Sequence, residues 1–429
     1  MKKLLLLPIT LAISSAYAVD APGGTVILDK VPAGITVKRT LRKTNVTPSI
    51  LMTHNPNITV SVNPPPVPIE HAMHAGIPVE EDETKWPAVT WKMNAGEGLT
   101  AFGSSAIPPV VAEGNEGAFR NRCGLSKFSW NDPIVYPGQP NKAHHHTFFG
   151  HTGIDAFTTT ANIRAPGAST SCRGGRTNLS GYWSGSLIDI FTRLPIKPLD
   201  VLLYYKATGL PYFGALMVNG KKEYPRTTPF PVGFRMIAGQ PGAMALPNPA
   251  HFSWSCFIPS PGGNREGTSG PTIPPVCGPG DQLRVRIDFP MCWDGVNLDS
   301  PDHKSHMAYP VRMPGTQIYY DPYKPYMCPT THPKVMPQLS YTVNYPIPAG
   351  TDLTKWRLAA DMYSVNLPGG WSMHADFLNG HDPEIQAIWV RECLGGDRGY
   401  NADGTQVPRT LRDCGSATIG DTRSLIALD

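Results

Sequence analysis

The chain is short of charge, of helical patterning and of long apolar runs, and each shortage removes a class of function. Charged side chains make up 16% of its 429 residues, against about 25% in an ordinary soluble domain. The formal net charge is only +4, without the concentrated basic stripe of a nucleic-acid binder. The most basic stretch, VKRTLRKT around Lys38, Arg39, Arg42 and Lys43, reads better as a solvated strand face, so no nucleic-acid partner is expected. Beyond the first residues no stretch approaches the ~20 apolar residues that span a bilayer, so no transmembrane segment is expected. Helical periodicity is scarce, and no internal repeat is found. The GxSxG elbow, the HExxH helix and the Walker phosphate loop are all missing. The Gly-rich segments APGGT and GPGDQ are isolated turns, and no nucleotide cofactor is expected.

What the chain has instead is 46 Pro and 42 Gly, which break helices and populate turns. Met1 to Ala18 opens on Lys2 and Lys3, runs apolar from Leu4 to Ile13 and carries small residues at Ala16 and Ala18. That is the pattern of a cleaved secretion signal, so the expected location is extracellular or periplasmic. All 8 cysteines lie beyond it, and an exported chain meets an oxidising compartment where thiols pair. No CxxC pair occurs, whereas zinc-binding cysteine patterns rely on such pairs. Four disulfides are therefore expected. Their connectivity is one of about a hundred pairings, with Cys393–Cys414 and Cys256–Cys277 nearest to natural loop closures.

Residues 19–62 carry short β-branched runs, TVILDKV, GITVKRTL and NITVSV, which read as strands. NPPPVP, Asn63 to Pro68, favours an extended spacer and opens a linker and lead-in over 63–118. Cysteines, aromatics and turn signals are dense from about Phe119, giving a main domain over 119–393 and a loop-rich tail over 394–429. Its candidate strands include VLLYYKA, GALMVNGKKEY, QLRVRIDF, LSYTVNYPI and KWRLAADMY. In QLRVRIDF, Leu283, Val285, Ile287 and Phe289 alternate with Arg284, Arg286 and Asp288, the mark of a sheet with one buried face. The expected fold is mainly β: a loop-rich antiparallel sandwich or jelly-roll-like domain with few short helices, braced by disulfides.

Chemistry concentrates in three His-bearing stretches. In KAHHHTFFGH an extended backbone points His144 and His146 to one face and His145 to the other, and two imidazoles on one face form a metal clamp. SPDHKSHMAYP supplies Asp302, His303, Lys304 and His306, the material of metal sites and of acid–base pairs alike. HADFLNGHD places His374 and Asp376 on a common face, with His381 and Asp382 beyond Gly380. Convergence of the three would give a shared polar pocket, with or without a divalent metal. Asp294, ahead of Gly295, reads as an Asx-type turn residue, in a loop that a disulfide at Cys292 would anchor. Tyr182, Trp183 and Trp371 offer flat surfaces for sugar rings, although core packing is the commoner fate of such side chains.

The ordered set DPIVYPG, HHHTFFG, LSGYWSGSL, CWDGVNLDSPDHKSHMAYP, CPTTHPKVMPQLSYTVNYP and HADFLNGHD, from about Phe119 to Cys393, resembles DUF1996, a secreted domain family of bacteria and fungi. In that family the first His motif commonly reads HMHQFFG, so the resemblance maps its alternating histidines onto His144 and His146 and its variable middle position onto His145. The family's HADF usually continues NGWD, whereas here His381 stands in place of the Trp. Some fungal relatives carry the domain beside carbohydrate-binding modules, which implies work at a cell wall or polysaccharide.

The leading expectation is a secreted protein whose His/Asp pocket acts on an extracellular polymer such as a polysaccharide. The residues carrying it are His144, His146, His306, His374 and Asp376 as metal ligands, with His306, His374, Asp376 and Lys304 also in catalytic roles. Its rivals are a non-catalytic wall- or glycan-binding module and an extracellular nuclease or phosphoesterase. The near-neutral charge weighs against the last of these.

Overall fold

The computed structural model describes residues 76–89, 117–207, 226–247, 251–259, 269–312 and 326–397, with short pieces elsewhere. The chain divides into two units, Met1–Glu70 and His71–Asp429. In the first, Tyr17–Ala21 pairs with Gly24–Leu28 and Val37–Arg39 with Ile50–Met52, both antiparallel. Residues 1–16 of the expected signal, the NITVSV run and the NPPPVP spacer lie outside the described residues.

The second unit is built on two sheets. Smaller sheets lie beside them; the strands of the two are β1 (Ala118–Cys123), β2 (Leu125–Ser129), β3 (His146–Gly150), β4 (Gly181–Gly185), β5 (Asp200–Lys206) and β6 (Arg235–Gly239). They continue with β7 (Phe252–Ile258), β8 (Arg265–Glu266), β9 (Gln282–Asp288), β10 (Gln338–Pro346), β11 (His374–Leu378) and β12 (Asp413–Cys414). Seven form one sheet in the order β8-β7-β9-β10-β5-β1-β12, and five form the other in the order β6-β11-β4-β3-β2. All pairings are antiparallel except that of β12, which joins β1 in parallel. The period-2 pattern of β9 is met: Leu283, Val285 and Ile287 are buried and their neighbours are half-exposed.

One core lies between the sheets. Val201, Leu203, Tyr205, Leu283, Val285, Tyr341 and Val343 from the larger sheet meet Phe149, Tyr182, Met236, Ala238, Ala375 and Phe377 from the smaller. Because strand side chains alternate, the same five strands turn a second set of residues outward. Phe148, Trp183, Ile237 and Leu378 from that set pack against Ile134, Ile154 and Ile163 from the loops over the outer face. The smaller sheet is thus buried on both sides, and polar groups on its outer face are shielded from water.

Four disulfides brace the unit: Cys123–Cys172, Cys256–Cys277, Cys292–Cys328 and Cys393–Cys414. They close loops of 21 to 49 residues, each removing roughly 3–4 kcal/mol of unfolded-chain entropy. Among the described residues there is a single α-helix, α1 (Pro383–Cys393). Asp382 caps it by accepting from the Glu384 and Ile385 N–H groups, and Pro383 fills its first turn, where no donor is needed. The expected strand KWRLAADMY is shorter than its pattern, ending at Leu358. The chain then turns about buried Asp361, which accepts from the Leu358, Gly370 and Ser372 N–H groups at 3.0, 2.8 and 3.0 Å.

Candidate metal centre

The loop joining β2 to β3 delivers the histidine run. Asn141 takes a left-handed conformation (φ 58°), one that asparagine tolerates, and its N–H donates to the Asn131 side chain at 3.0 Å. The Ala143 N–H donates to the Trp130 carbonyl at 2.9 Å, which fixes the approach of the chain to β3. His144 then lies in extended chain just ahead of the strand and His146 is its first residue. Their rings sit 4.2 Å apart between centroids, as the alternation of side chains requires.

Register brings the third histidine to them. His146 pairs with Gly185 of β4, and since Ala375 pairs with Ser184, His374 lies across from Gly185 on its other side. The outward row therefore reads His374, Gly185, His146 over three adjacent strands. Gly185 supplies the room: a Cβ there would lie 3.0 Å from His374 Cε1. The next row along the same face holds Asp376, Trp183 and Phe148.

His144 Nε2 lies 3.0 Å from His374 Nε2, which lies 3.5 Å from His146 Nε2. The three residues form the one group of metal-ligating type among the described residues, and all are buried. Tetrahedral coordination with bonds of 2.0–2.1 Å implies N···N separations of about 3.3 Å, between the two observed. Two backbone carbonyls fix the tautomers, because Nδ1–H of His146 donates to Asn131 O at 3.1 Å and that of His374 to Ser372 O at 2.8 Å. Such outer contacts orient ligating imidazoles. Both Nε2 atoms are thereby left as acceptors, with lone pairs turned toward one another in a buried space. With His144 beside them, the three ring nitrogens lie within 4.8 Å of one another and could hold a metal ion.

The carboxyl groups point the same way. Asp376 is 1% exposed, and neither of its carboxyl oxygens has a hydrogen-bond partner. Oδ2 lies 4.0 Å from His374 Nε2. Burial, and then the charge of Asp132, push this carboxyl well above its ordinary range, with Lys304 opposing. Asp132, also buried, is pushed up to about 6 by desolvation although the Val135 and Ile134 N–H groups, each at 2.9 Å, favour its charged form. Lys304 donates to Gly239 O at 2.7 Å and to Gln240 Oε1 at 3.3 Å. Burial depresses its ammonium, with Asp376 and then Asp302 acting against that. The structure thus gathers three imidazoles and Asp376, with Asp132 and Lys304 electrostatically linked to that carboxyl.

His306 does not belong to this group. Its Nε2 meets the Arg235 carbonyl at 2.9 Å and its Nδ1 meets Ser300 Oγ at 2.8 Å, so both ring nitrogens are taken up in holding its loop, and the expectation of His306 as a ligand is corrected. Asp294 is the expected turn residue, accepting from the Val296 and Asn297 N–H groups at 2.8 and 2.9 Å. Tyr182 and Trp183 are fully buried. Neither presents a face to a polymer, which corrects their expected part in stacking sugars. Tyr182 packs toward the inter-sheet core and Trp183 under the outer loops. Trp371 remains half-buried, stacked on Tyr363 at 4.1 Å. His145 points away from the ligands into aromatic rings, and His381 joins Tyr205 and Tyr182 in the core at 2.9 and 3.4 Å. Asp132 and Gly185 were not singled out from the sequence, although the motifs DPIVYPG and LSGYWSGSL contain them. The carbonyls of Asn131 and Ser372 leave no signal in side-chain identity.

A protein-family model described as a domain of unknown function, DUF1996, matches residues 132–381, more than half of the chain. No curated protein and no solved structure matches it.

Proposed function

The chain belongs to the DUF1996 family, whose matched segment carries every member of the His cluster, and from that premise we propose a metal-dependent hydrolase acting on an extracellular polymer, with polysaccharide as the substrate class. The observation that carries it is the meeting of the His144, His146 and His374 Nε2 atoms at 3.0 and 3.5 Å, with carbonyls fixing the tautomers of the last two. Three imidazoles with a further position open are a donor set of catalytic zinc, and imidazole also suits copper, iron and nickel. Held there, a divalent ion supplies Lewis acidity or a water acidified to about pKa 7.

The remaining roles fall to this chain's own groups. Asp376, with both oxygens uncommitted, would be returned to its charged form by a cation beside it and would then accept a proton from the attacking water. Lys304 lends positive charge where negative charge develops. His144, at 9% exposure the most open of the three, marks the side of approach. Trp371, three residues before His374 and stacked on Tyr363, supports the polysaccharide assignment because the residue is only half-buried. An exported location fits the four disulfides.

A second reading is favoured by depth of burial. With Asp376 as fourth ligand the centre is closed, and the ion becomes a structural staple of a non-catalytic module. Purified protein assayed for product release from a panel of cell-wall polysaccharides separates the readings. The hydrolase requires release that is lost with chelator and in His374→Ala. Release unaffected by both removes the metal mechanism, and tight glycan binding without release favours the module.

A further inference from the structure

Residues 76–89 lie outside the matched family segment, yet they pack against the loop that carries two of the ligands. The Ile77 N–H donates to Ala359 O at 3.1 Å, and the Ala359 N–H donates to Ser186 O at 2.7 Å. Glu80 N–H donates to Arg193 O at 2.9 Å, and the Arg193 guanidinium returns a bond to Val79 O at 3.2 Å. Gly76 has φ +133°, and a Cβ on it would stand 2.1 Å from Ala359 O, so this docking needs glycine there.

Trp86 stands at the far end of the segment, its indole N–H donating to Glu80 O at 2.7 Å. Its ring meets His145 at 4.8 Å and Trp130 at 5.0 Å. Trp130 and Phe128 approach His145 at 4.9 and 5.8 Å from other sides. Ser186 holds the same residue twice, by its N–H to His145 O at 2.9 Å and by its Oγ to Nδ1 at 2.8 Å. His145 is the chain neighbour of both His144 and His146, so a rivet through it sets the direction of the two flanking imidazoles.

We infer that Trp86 is a positioning residue of the metal centre: the segment 76–89 straps the His144–His146 loop through His145 and holds two ligands in coordinating geometry. This rests on the metal reading above. It adds that the matched family segment is not sufficient for a competent site, because the aromatic walls around His145, Phe128, Trp130 and Trp86, all come from outside it.

The test uses the full chain in four variants: Trp86→Ala, Trp86→Phe, Gly76→Ala and, as a control on the same segment, exposed Glu81→Ala. Zinc(II) titration is the first readout, with thermal unfolding followed in parallel. Trp86→Ala and Gly76→Ala act on the ligands only through His145 and are expected to weaken zinc(II) by about 10-fold, the lower end of the loss seen when a contact made directly to a ligand is removed. Trp86→Phe recovers most of the affinity, and Glu81→Ala matches the wild type. The second readout is the nitrogen-15 spectrum of the imidazoles, which shows the tautomers without any metal. His146 and His374 give Nδ1–H signals in the wild type, and Trp86→Ala blurs or shifts that of His146. A wild type that takes up no zinc(II) defeats the metal reading, while the imidazole spectra still decide the strap. Trp86→Ala and Gly76→Ala with wild-type affinity, or with wild-type imidazole spectra where no zinc(II) binds, overturn the inference.

Discussion

Gly185→Ala isolates the geometry of the site from the stability of the fold. The new methyl would stand 3.0 Å from His374 Cε1 and 3.8 Å from Ala360 Cβ. Carbon atoms rest at about 3.5–4.0 Å, so the His374 ring must retreat by several tenths of an ångström while the Ala360 contact stays ordinary. Gly185 is not among the positive-φ residues, so alanine brings no left-handed strain. The expected cost to the apo fold is about 1 kcal/mol, at the low end for overpacking. A metal centre is less forgiving, because ligands must hold their places to about 0.5 Å. Zinc(II) affinity should fall about 10- to 100-fold, the range seen when an orienting contact is lost. Calorimetric titration measures the first effect and thermal unfolding of the apo protein the second. In a His374→Ala background the overlap has gone, and Gly185→Ala should then add almost nothing to the cost in stability. Undiminished zinc(II) affinity in the single variant would refute the reasoning.

Three further expectations follow from named contacts. Asp376→Asn replaces a buried carboxyl group that has no hydrogen-bond partner by an amide that cannot ionise, so apo stability should hold or rise by about 1 kcal/mol while turnover falls about 100- to 10,000-fold; paired unfolding and rate measurements in which both fall together would contradict this. His306→Ala loses two ring hydrogen bonds at roughly 1 kcal/mol each but no ligand, so unfolding shifts and zinc(II) stoichiometry does not; loss of the metal would return His306 to the site. Burial holds His381 down to about 3, below an unfolded value of about 6.5, so within that window the unfolded chain binds one more proton and stability is lost as pH drops, by about 1.4 kcal/mol per unit. His381→Asn should flatten the urea-unfolding profile by that one-proton slope between pH 6.5 and 4, and a slope equal to the wild type would exclude burial as the cause.

The β architecture was legible because alternation is local. QLRVRIDF states which of its residues face a core, and β9 pairs on both edges as such a strand should. The same alternation put His144 with His146 and His374 with Asp376. What it could not state was which of several His-bearing loops would meet, since that depends on strand order. β4 inserts between β3 and β11, and only that order makes Gly185 the gap between two imidazoles. His306 misled because a polar cluster on a turn resembles a ligand set in composition. Its ring nitrogens serve a loop carbonyl and a serine instead. Tyr182 and Trp183 misled for a different reason: with both faces of the smaller sheet covered, neither side of the strand GYWSG reaches solvent.

In the proposed centre three imidazoles from two separate stretches of the chain hold one cation. X-ray absorption on the protein loaded with zinc(II) or copper(II) tests it most directly, with His374→Ala alongside. The expected result is one ion per chain with three imidazole nitrogens in its shell, falling to two with weakened binding in the variant. A wild type that takes up no stoichiometric metal, or a metal shell unchanged by His374→Ala, would contradict it.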